Sequence, residues 1–253
     1  MVLSCVHALN GQRADIYEWF LRRMAHIRNE YGVEMLVVGN EGKLSKDTTE
    51  EAGTWYIERE NNPVSNKWNE GMLAIRKHNP SHVIILGSDD LISDDLIIRY
   101  LKEIEGGFDG IMGISDSYYI ALSRKRACYN ICYYWPGYSD NRMIGYARCL
   151  PSRVLDAVDW RPWAEGLNSG LDTSLTRLVN ESGVRYDEKM FSIKENDWLH
   201  IDIKTKENIS SVSPIARRGI EVEFNDLISR YLPREESEDI LSYRESLVDM
   251  IWE

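Results

Sequence analysis

Two carboxylates, Asp89 and Asp90, follow directly on Gly87-Ser88 at the end of the most hydrophobic run of the chain, His82–Leu86. Adjacent acids repel one another unless something positive lies beside them, and a divalent cation with oxygen ligands is the usual solution. Capping of a helix starting near Asp94 is the competing explanation, and the pair alone does not choose between the two. A second polar group, Asn40-Glu41, follows the apolar run Val33–Val38. Ligands of open α/β sheets bind outside the carboxyl ends of the strands, so both places are candidate binding sites. Gly39-x-x-Gly42-Lys43 is not a P-loop, because Leu44 stands where Ser or Thr is needed and the spacing is short. No Gly-x-Gly-x-x-Gly follows the first strand, which argues against a dinucleotide oxidoreductase.

The elements that would position these groups alternate. Val2–His7 reads as a strand, and a helix is expected from about Ala14 to Asn29, with Ile16, Phe20, Met24 and Ile27 on one face and Gly32 ending it. Val33–Val38 and Thr54–Glu58 read as strands. Pro63 opens a helix to about His78 that carries Trp68, Met72 and Ile75 on one face, and Asn79-Pro80 stops it. His82–Leu86 is expected to be the central strand, followed by a helix from about Asp94 to Glu105. After Gly106-Gly107 come short strands at Gly110–Ile114 and Tyr118–Leu122 around a turn at Ser115-Asp116, and an aromatic stretch from Tyr129 to Tyr138. A strand at Arg142–Tyr146, helices at Ser152–Val158 and Leu171–Glu181, and a strand-and-loop segment at Ser192–Lys204 complete the series. The expected fold class is α/β, a mixed and mainly parallel sheet flanked by helices. Residues 1–205 form the main domain and 206–253 a helical, acidic C-terminal extension.

The 253 residues suit one large domain. With 30 basic against 41 acidic residues the net charge is −11, which argues against a broadly basic nucleic-acid binder but leaves room for a local basic patch. Arg124-Lys125-Arg126 and Arg217-Arg218 are short clusters of that kind. No apolar run approaches the roughly 20 residues of a membrane span. The start, Met1-Val-Leu-Ser-Cys, lacks the pattern of a signal peptide. Four scattered cysteines fit reduced thiols rather than a zinc site or disulfide scaffold, so a cytoplasmic location is expected.

Taken in order, the N-terminal strand–helix–strand, the segment Asn62-Pro-x-Ser-Asn-Lys-Trp-Asn-Glu-Gly71 and the Ile-Ile-Leu-Gly-Ser-Asp-Asp end resemble the nucleotide-sugar half of GT-A glycosyltransferases of the family 2-like group. Ser65, Lys67, Asn69 and Gly71 fill that family's helix pattern. Asp89 fills the second position of its Asp-x-Asp motif, with Gly87 in the first, so the motif is degenerate. Ile144-Gly145 with Arg148 is similar to the family's acceptor-side element. Gly170-Leu-Asp-Thr-Ser-Leu175 is similar to its Glu-Asp-x-x-Leu helix start, with Asp172 matching the Asp and Leu171 replacing the Glu. His200 and Lys204 resemble its late His and Lys. The resemblance spans about residues 2–205.

The resemblance implies a GT-A fold and a transferase that moves a sugar from a nucleotide-diphosphate sugar, a UDP-sugar by preference, to a hydroxyl acceptor. It implies Mn2+ or Mg2+ held by Asp89, Asp90 and His200, and Lys204 at the diphosphate. His7, Ala8, Arg13, Asn40, Glu41, Lys67, Asn69 and Ser88 are then expected around the donor, and Asp172 as the base of an inverting reaction. Such transfer breaks the anomeric C–O bond through an oxocarbenium-like state while charge builds on the diphosphate, so a cation beside the leaving group and a carboxylate beside the acceptor hydroxyl are the needed groups. Tyr133, Tyr134, Trp135, Tyr138, Trp160 and Trp163 are either core or a stacking platform. A nucleotidyltransferase and a catalytically inactive binding module on the same fold remain alternatives. The acceptor is left open, hydroxymethylated DNA included.

Overall fold

The computed structural model describes residues 1–6, 9, 11–122, 131–138, 142–205 and 218–249. His7, Ala8, the basic cluster 124–126 and Arg217 lie outside these, as does the boundary at 205/206 on its C-terminal side.

Strands β1 (Val2–Cys5), β2 (Met35–Gly39), β3 (Trp55–Glu58) and β4 (His82–Gly87) alternate with helices α1 (Gln12–Tyr31), α2 (Lys43–Glu51) and α3 (Val64–Arg76). Short β5 (Asp90–Ile92) and α4 (Asp94–Glu105) follow, then β6 (Ile111–Ile114), β7 (Ser117–Ala121), β8 (Cys132–Trp135) and β9 (Cys149–Pro151). After α5 (Ser152–Asp156) and α6 (Leu171–Glu181) come β10 (Glu188–Phe191), β11 (His200–Lys204), β12 (Ile220–Val222), α7 (Phe224–Tyr231) and α8 (Arg234–Asp249).

Two sheets result. The larger runs β10-β6-β9-β4-β1-β2-β3, with β4, β1, β2 and β3 parallel and β9 antiparallel to both of its neighbours. The near-continuous apolar run of β4 puts it at the centre, as its hydrophobicity requires. Helix α1 buries Ile16, Phe20, Met24 and Ile27 and ends at Gly32, whose left-handed φ of 66° returns its N–H to the Arg28 carbonyl. The smaller sheet, β12-β8-β7-β11-β5, is joined to the first through the short step from β4 to β5. Beyond residue 218 the chain rejoins the body: β12 pairs with β8, and α8 contacts α1 through Asp239, which accepts hydrogen bonds from Trp19 and Arg22.

Three local expectations change. Helix α2 has no apolar stripe; it buries the hydroxyls of Ser45 and Thr49, bonded to Tyr56 and Tyr17, so hydrophobic periodicity could not announce it. Strands β6 and β7 do not form a hairpin around Ser115-Asp116, because each joins a different sheet. Arg142–Tyr146 is loop and turn rather than strand; Arg148 Nε and Nη2 bind the carbonyls of Ile144 and Met143, and the strand begins later, at Cys149. Among the described residues no helix is long and apolar enough to cross a membrane.

Candidate active site

The run His200-Ile-Asp-Ile-Lys204 alternates polar and apolar residues, and a strand sends alternate side chains to opposite faces. Register carries that alternation across the smaller sheet. Asp202 pairs with Asp90 on β5 and with Tyr119 on β7, while Ser117 on β7 pairs with Trp135 on β8. The opposite face, with Ile201, Ile203, Ile120 and Leu91, belongs to the main hydrophobic core. The polar face opens onto a cleft of about 960 Å³, into which Asp89, Asp90, Asp202 and Lys204 all project.

In this cleft the carboxylates of Asp89, Asp90 and Asp202 each place an oxygen within 4.8 Å of the others. Two cations answer them. Lys204 Nζ lies 2.6 Å from Asp202 Oδ2, and Arg13 reaches Asp89 Oδ2 at 3.3 Å and Ser88 Oγ at 3.2 Å. Burial alone works against the charge of Lys204, yet Asp202, Asp89 and Asp90 together hold its pKa above the usual lysine value. Asp90 Oδ2 accepts from the Gly87 N–H at 2.5 Å. Asp202 Oδ1 is buried with no hydrogen-bond partner among the described residues. Three hard oxygen donors, one of them unsatisfied, fit Mn2+ or Mg2+.

His200 stands beside this group, its Nε2 buried and without a hydrogen-bond partner among the described residues. Its ring stacks on Tyr146, with centroids 4.6 Å apart and planes 2° from parallel. Nδ1 lies 2.6 Å from Ser117 Oγ, and Nε2 stops 3.7 Å from Asp90 Oδ2. Asp202, on the same face of the same strand, is the third carboxylate of the group.

The same cleft is lined by Asp172, in the first turn of α6. Its carboxylate rests on Gly145, where a Cβ would come 1.7 Å from Oδ1, so the close approach requires glycine. Arg148 locks this arrangement by holding the Met143 and Ile144 carbonyls and donating to Thr176 Oγ1 of α6 at 3.2 Å. Burial raises the Asp172 pKa, and the nearby Arg148 and Arg142 oppose the rise.

Several other residues expected around the donor have hydrogen-bond partners within the protein. Both amide atoms of Asn69 bind the backbone of Trp163, accepting from its N–H at 3.3 Å and donating to its carbonyl at 2.7 Å. Lys67 is buried and donates to Asn40 Oδ1 at 2.6 Å and to the Val6 carbonyl; burial lowers its pKa. Glu41 accepts from the Asn40 N–H at 3.3 Å. Asn40, Glu41 and Lys67 therefore cluster after β1 and β2, off the cleft, while Ser65 and Asn66 bind Leu167 and Gly166 and hold the segment that leads into α6.

The architecture is shared with solved structures. Staphylococcus aureus TarS 1–349 in complex with UDP-GlcNAc superposes with a TM-score of 0.54 at 13% identity, over 100% of this chain and 72% of that one. TarS 1–349 in complex with UDP gives 0.50 at 13% identity, over 96% and 70%. The fold is that of the GT-A glycosyltransferases. Against another TarS structure the TM-score is 0.50 at 12% identity, and this chain spans only 42% of that one. No protein-family model and no curated protein sequence matches the chain.

Within the GT-A fold the degenerate motif has a structural counterpart. Gly87 carries no carboxylate, and a Cβ there would come 2.8 Å from Asp89 Oδ1 and 3.0 Å from Asp90 Oδ2. The third carboxylate comes instead from Asp202, across the sheet. Sequence reading passed over Asp202 while selecting His200 and Lys204 on either side of it. Strand alternation was the signal that could have found it, since i, i+2 and i+4 share a face.

Proposed function

We propose that this chain is a glycosyltransferase that moves a sugar from a nucleoside-diphosphate sugar to a hydroxyl acceptor, with residues 1–205 holding the site. The observation that carries the reading is that one cleft contains both the carboxylate triad with Lys204 and the carboxylate of Asp172. The likeness to TarS, whose structures hold UDP and UDP-GlcNAc, supports a uridine donor.

Asp89, Asp90 and Asp202 would hold Mn2+ or Mg2+, which supplies positive charge against the departing diphosphate. Lys204 adds a fixed cation beside the same leaving group, and Arg13 keeps the Asp89 carboxylate oriented. Asp172 accepts the acceptor hydroxyl's proton as the new C–O bond forms at the anomeric carbon. The hydroxyl attacks the face opposite the diphosphate, whose bond breaks and whose electron pair leaves with it, so a single displacement inverts the anomeric centre. The raised pKa of Asp172 makes it a stronger base than an exposed aspartate.

The test is calorimetric binding and turnover with a panel of nucleotide sugars plus Mn2+. Release of nucleoside diphosphate is expected, and Asp89→Ala should abolish metal-dependent donor binding. Release of pyrophosphate from nucleoside triphosphate and sugar phosphate would instead assign nucleotidyl transfer. Folded protein that binds no nucleotide sugar would sink the proposal.

A further inference from the structure

The smaller sheet continues past the acid triad as an aromatic surface. Its strand order is β12-β8-β7-β11-β5, so the triad occupies the β11–β5 end and the next two strands carry Tyr119 and Trp135 on the same face. Both line the cleft, as do Tyr138 and Tyr146. The rings touch in sequence: Tyr146 to Tyr119 at 6.2 Å, Tyr119 to Trp135 at 6.0 Å, Trp135 to Tyr138 at 4.9 Å. These contacts are edge-to-face, with interplanar angles of 66°, 79° and 85°. Trp135 itself is only half-buried, although its strand neighbours Tyr134 and Cys132 are in the core. Two strand spacings, about 10 Å, separate β8 from β11, roughly the room one sugar residue needs beyond the diphosphate.

From this surface we infer that the acceptor is a carbohydrate, whose pyranose ring lies on the Trp135–Tyr138 platform with its hydroxyl toward Asp172. The inference rests on the transferase reading of the same cleft. A pyranose has an apolar C–H face and a polar rim, so it suits a half-buried ring bounded by a second ring edge-on and by polar groups beyond. Arg142, over the Tyr138 ring at 4.2 Å, and Asp172 supply such polar groups. A nucleic-acid acceptor fits less well. Perpendicular rings offer no parallel slot for a base.

The test uses the full chain with methyl β-D-glucopyranoside, chitobiose and maltotetraose, and with a single-stranded DNA 12-mer carrying 5-hydroxymethylcytosine. Saturation-transfer NMR should show contact at the ring C–H protons of at least one glycan, and tryptophan fluorescence should give its affinity. Trp135→Ala should weaken that affinity about tenfold, and Trp135→Phe should hold it within about threefold, because a smaller ring still stacks. Circular dichroism confirms that both variants fold. No transfer to any glycan, unchanged affinity in folded Trp135→Ala, or tighter binding of the DNA than of every glycan would overturn the assignment. Titration of UDP-GlcNAc and UDP-glucose with Mn2+ separates the two readings. Donor binding without glycan binding overturns the platform and leaves the transferase standing. Glycan binding without donor binding overturns the acceptor role together with the transferase.

Discussion

Asp202 stands directly across from Asp90 in the antiparallel pair of β11 and β5, and this cross-strand pairing brings together carboxylates 112 positions apart in the chain. Neighbouring like charges on paired strands destabilise a sheet unless a cation compensates them. Lys204 and Arg13 compensate in part, and Asp202 Oδ1 is still left without a partner among the described residues. Asp202→Asn keeps the shape and removes one charge. It should weaken Mn2+ binding at least about tenfold in a metal titration, while thermal stability holds or rises. Unchanged Mn2+ affinity would remove Asp202 from the ligand set.

The same arrangement makes a counterintuitive prediction about Gly87. Completing the Asp-x-Asp motif by Gly87→Asp adds a carboxylate where the family pattern has one. Its Cβ would nevertheless crowd Asp89 Oδ1 at 2.8 Å and bring a further negative charge against the Asp89–Asp90 pair. Weaker metal binding and a lower melting temperature are expected. Tighter Mn2+ binding with retained stability would show that the site needs the motif's own carboxylate.

The proposed base sets the direction of the pH profile. Asp172 acts ionised, so turnover falls as pH drops through its pKa, and burial places that acid limb above the usual aspartate range. Arg142 holds the pKa down and is exposed, so Arg142→Gln should move the acid limb further up without unfolding the protein. A kcat–pH series checks this, and an unmoved limb would detach Asp172 from the proton transfer. Asp172→Asn should cost at least about a hundredfold in kcat at every pH.

Asn69 separates a donor contact from a structural role. Its amide satisfies both the N–H and the carbonyl of Trp163, a buried residue in the cleft wall. Asn69→Ala leaves two buried backbone groups unpaired, at a cost of about 2 kcal/mol, visible as a lower midpoint in urea. A large loss of donor affinity with stability intact would assign Asn69 to the nucleotide instead.

Much of this was legible in the sequence because it rests on local pattern. The apolar run of His82–Leu86 marked the central strand, the acidic start at Asp94 marked α4, and Leu171 marked the start of α6 with Asp172 in its first turn. What escaped depends on tertiary pairing. Helix α2 is buried through two hydroxyls, β6 and β7 part company into separate sheets, and Asp202 becomes a metal-site candidate only through its cross-strand partners. Asn69 and Lys67 fit a family pattern by spacing, yet their partners, Trp163 and Asn40, are set by packing that spacing cannot show.

Arg23 ties the site strand to the C-terminal helix, and its partner Asp94 gives the last prediction. Fully buried Arg23 on α1 donates to the Ile92 carbonyl of β5 at 2.7 Å and to Asp94, and lies 3.6 Å from Glu236 on α8. His26 Nε2 and the Tyr31 hydroxyl meet Asp94 Oδ2 at 3.0 and 2.9 Å. Burial alone would raise the Asp94 pKa, but His26, Arg23 and Tyr31 outweigh it and hold the pKa below the usual value. A depressed carboxylate stabilises the fold above its unfolded pKa and ceases to do so as pH falls through the folded one. Asp94→Ala leaves the buried guanidinium only the Ile92 carbonyl and the more distant Glu236, and should cost about 3 kcal/mol at neutral pH, shrinking in acid. Calorimetric melts of both proteins from neutral pH down to about 3 check this, and a pH-independent difference would show that the Asp94 charge contributes nothing to the fold.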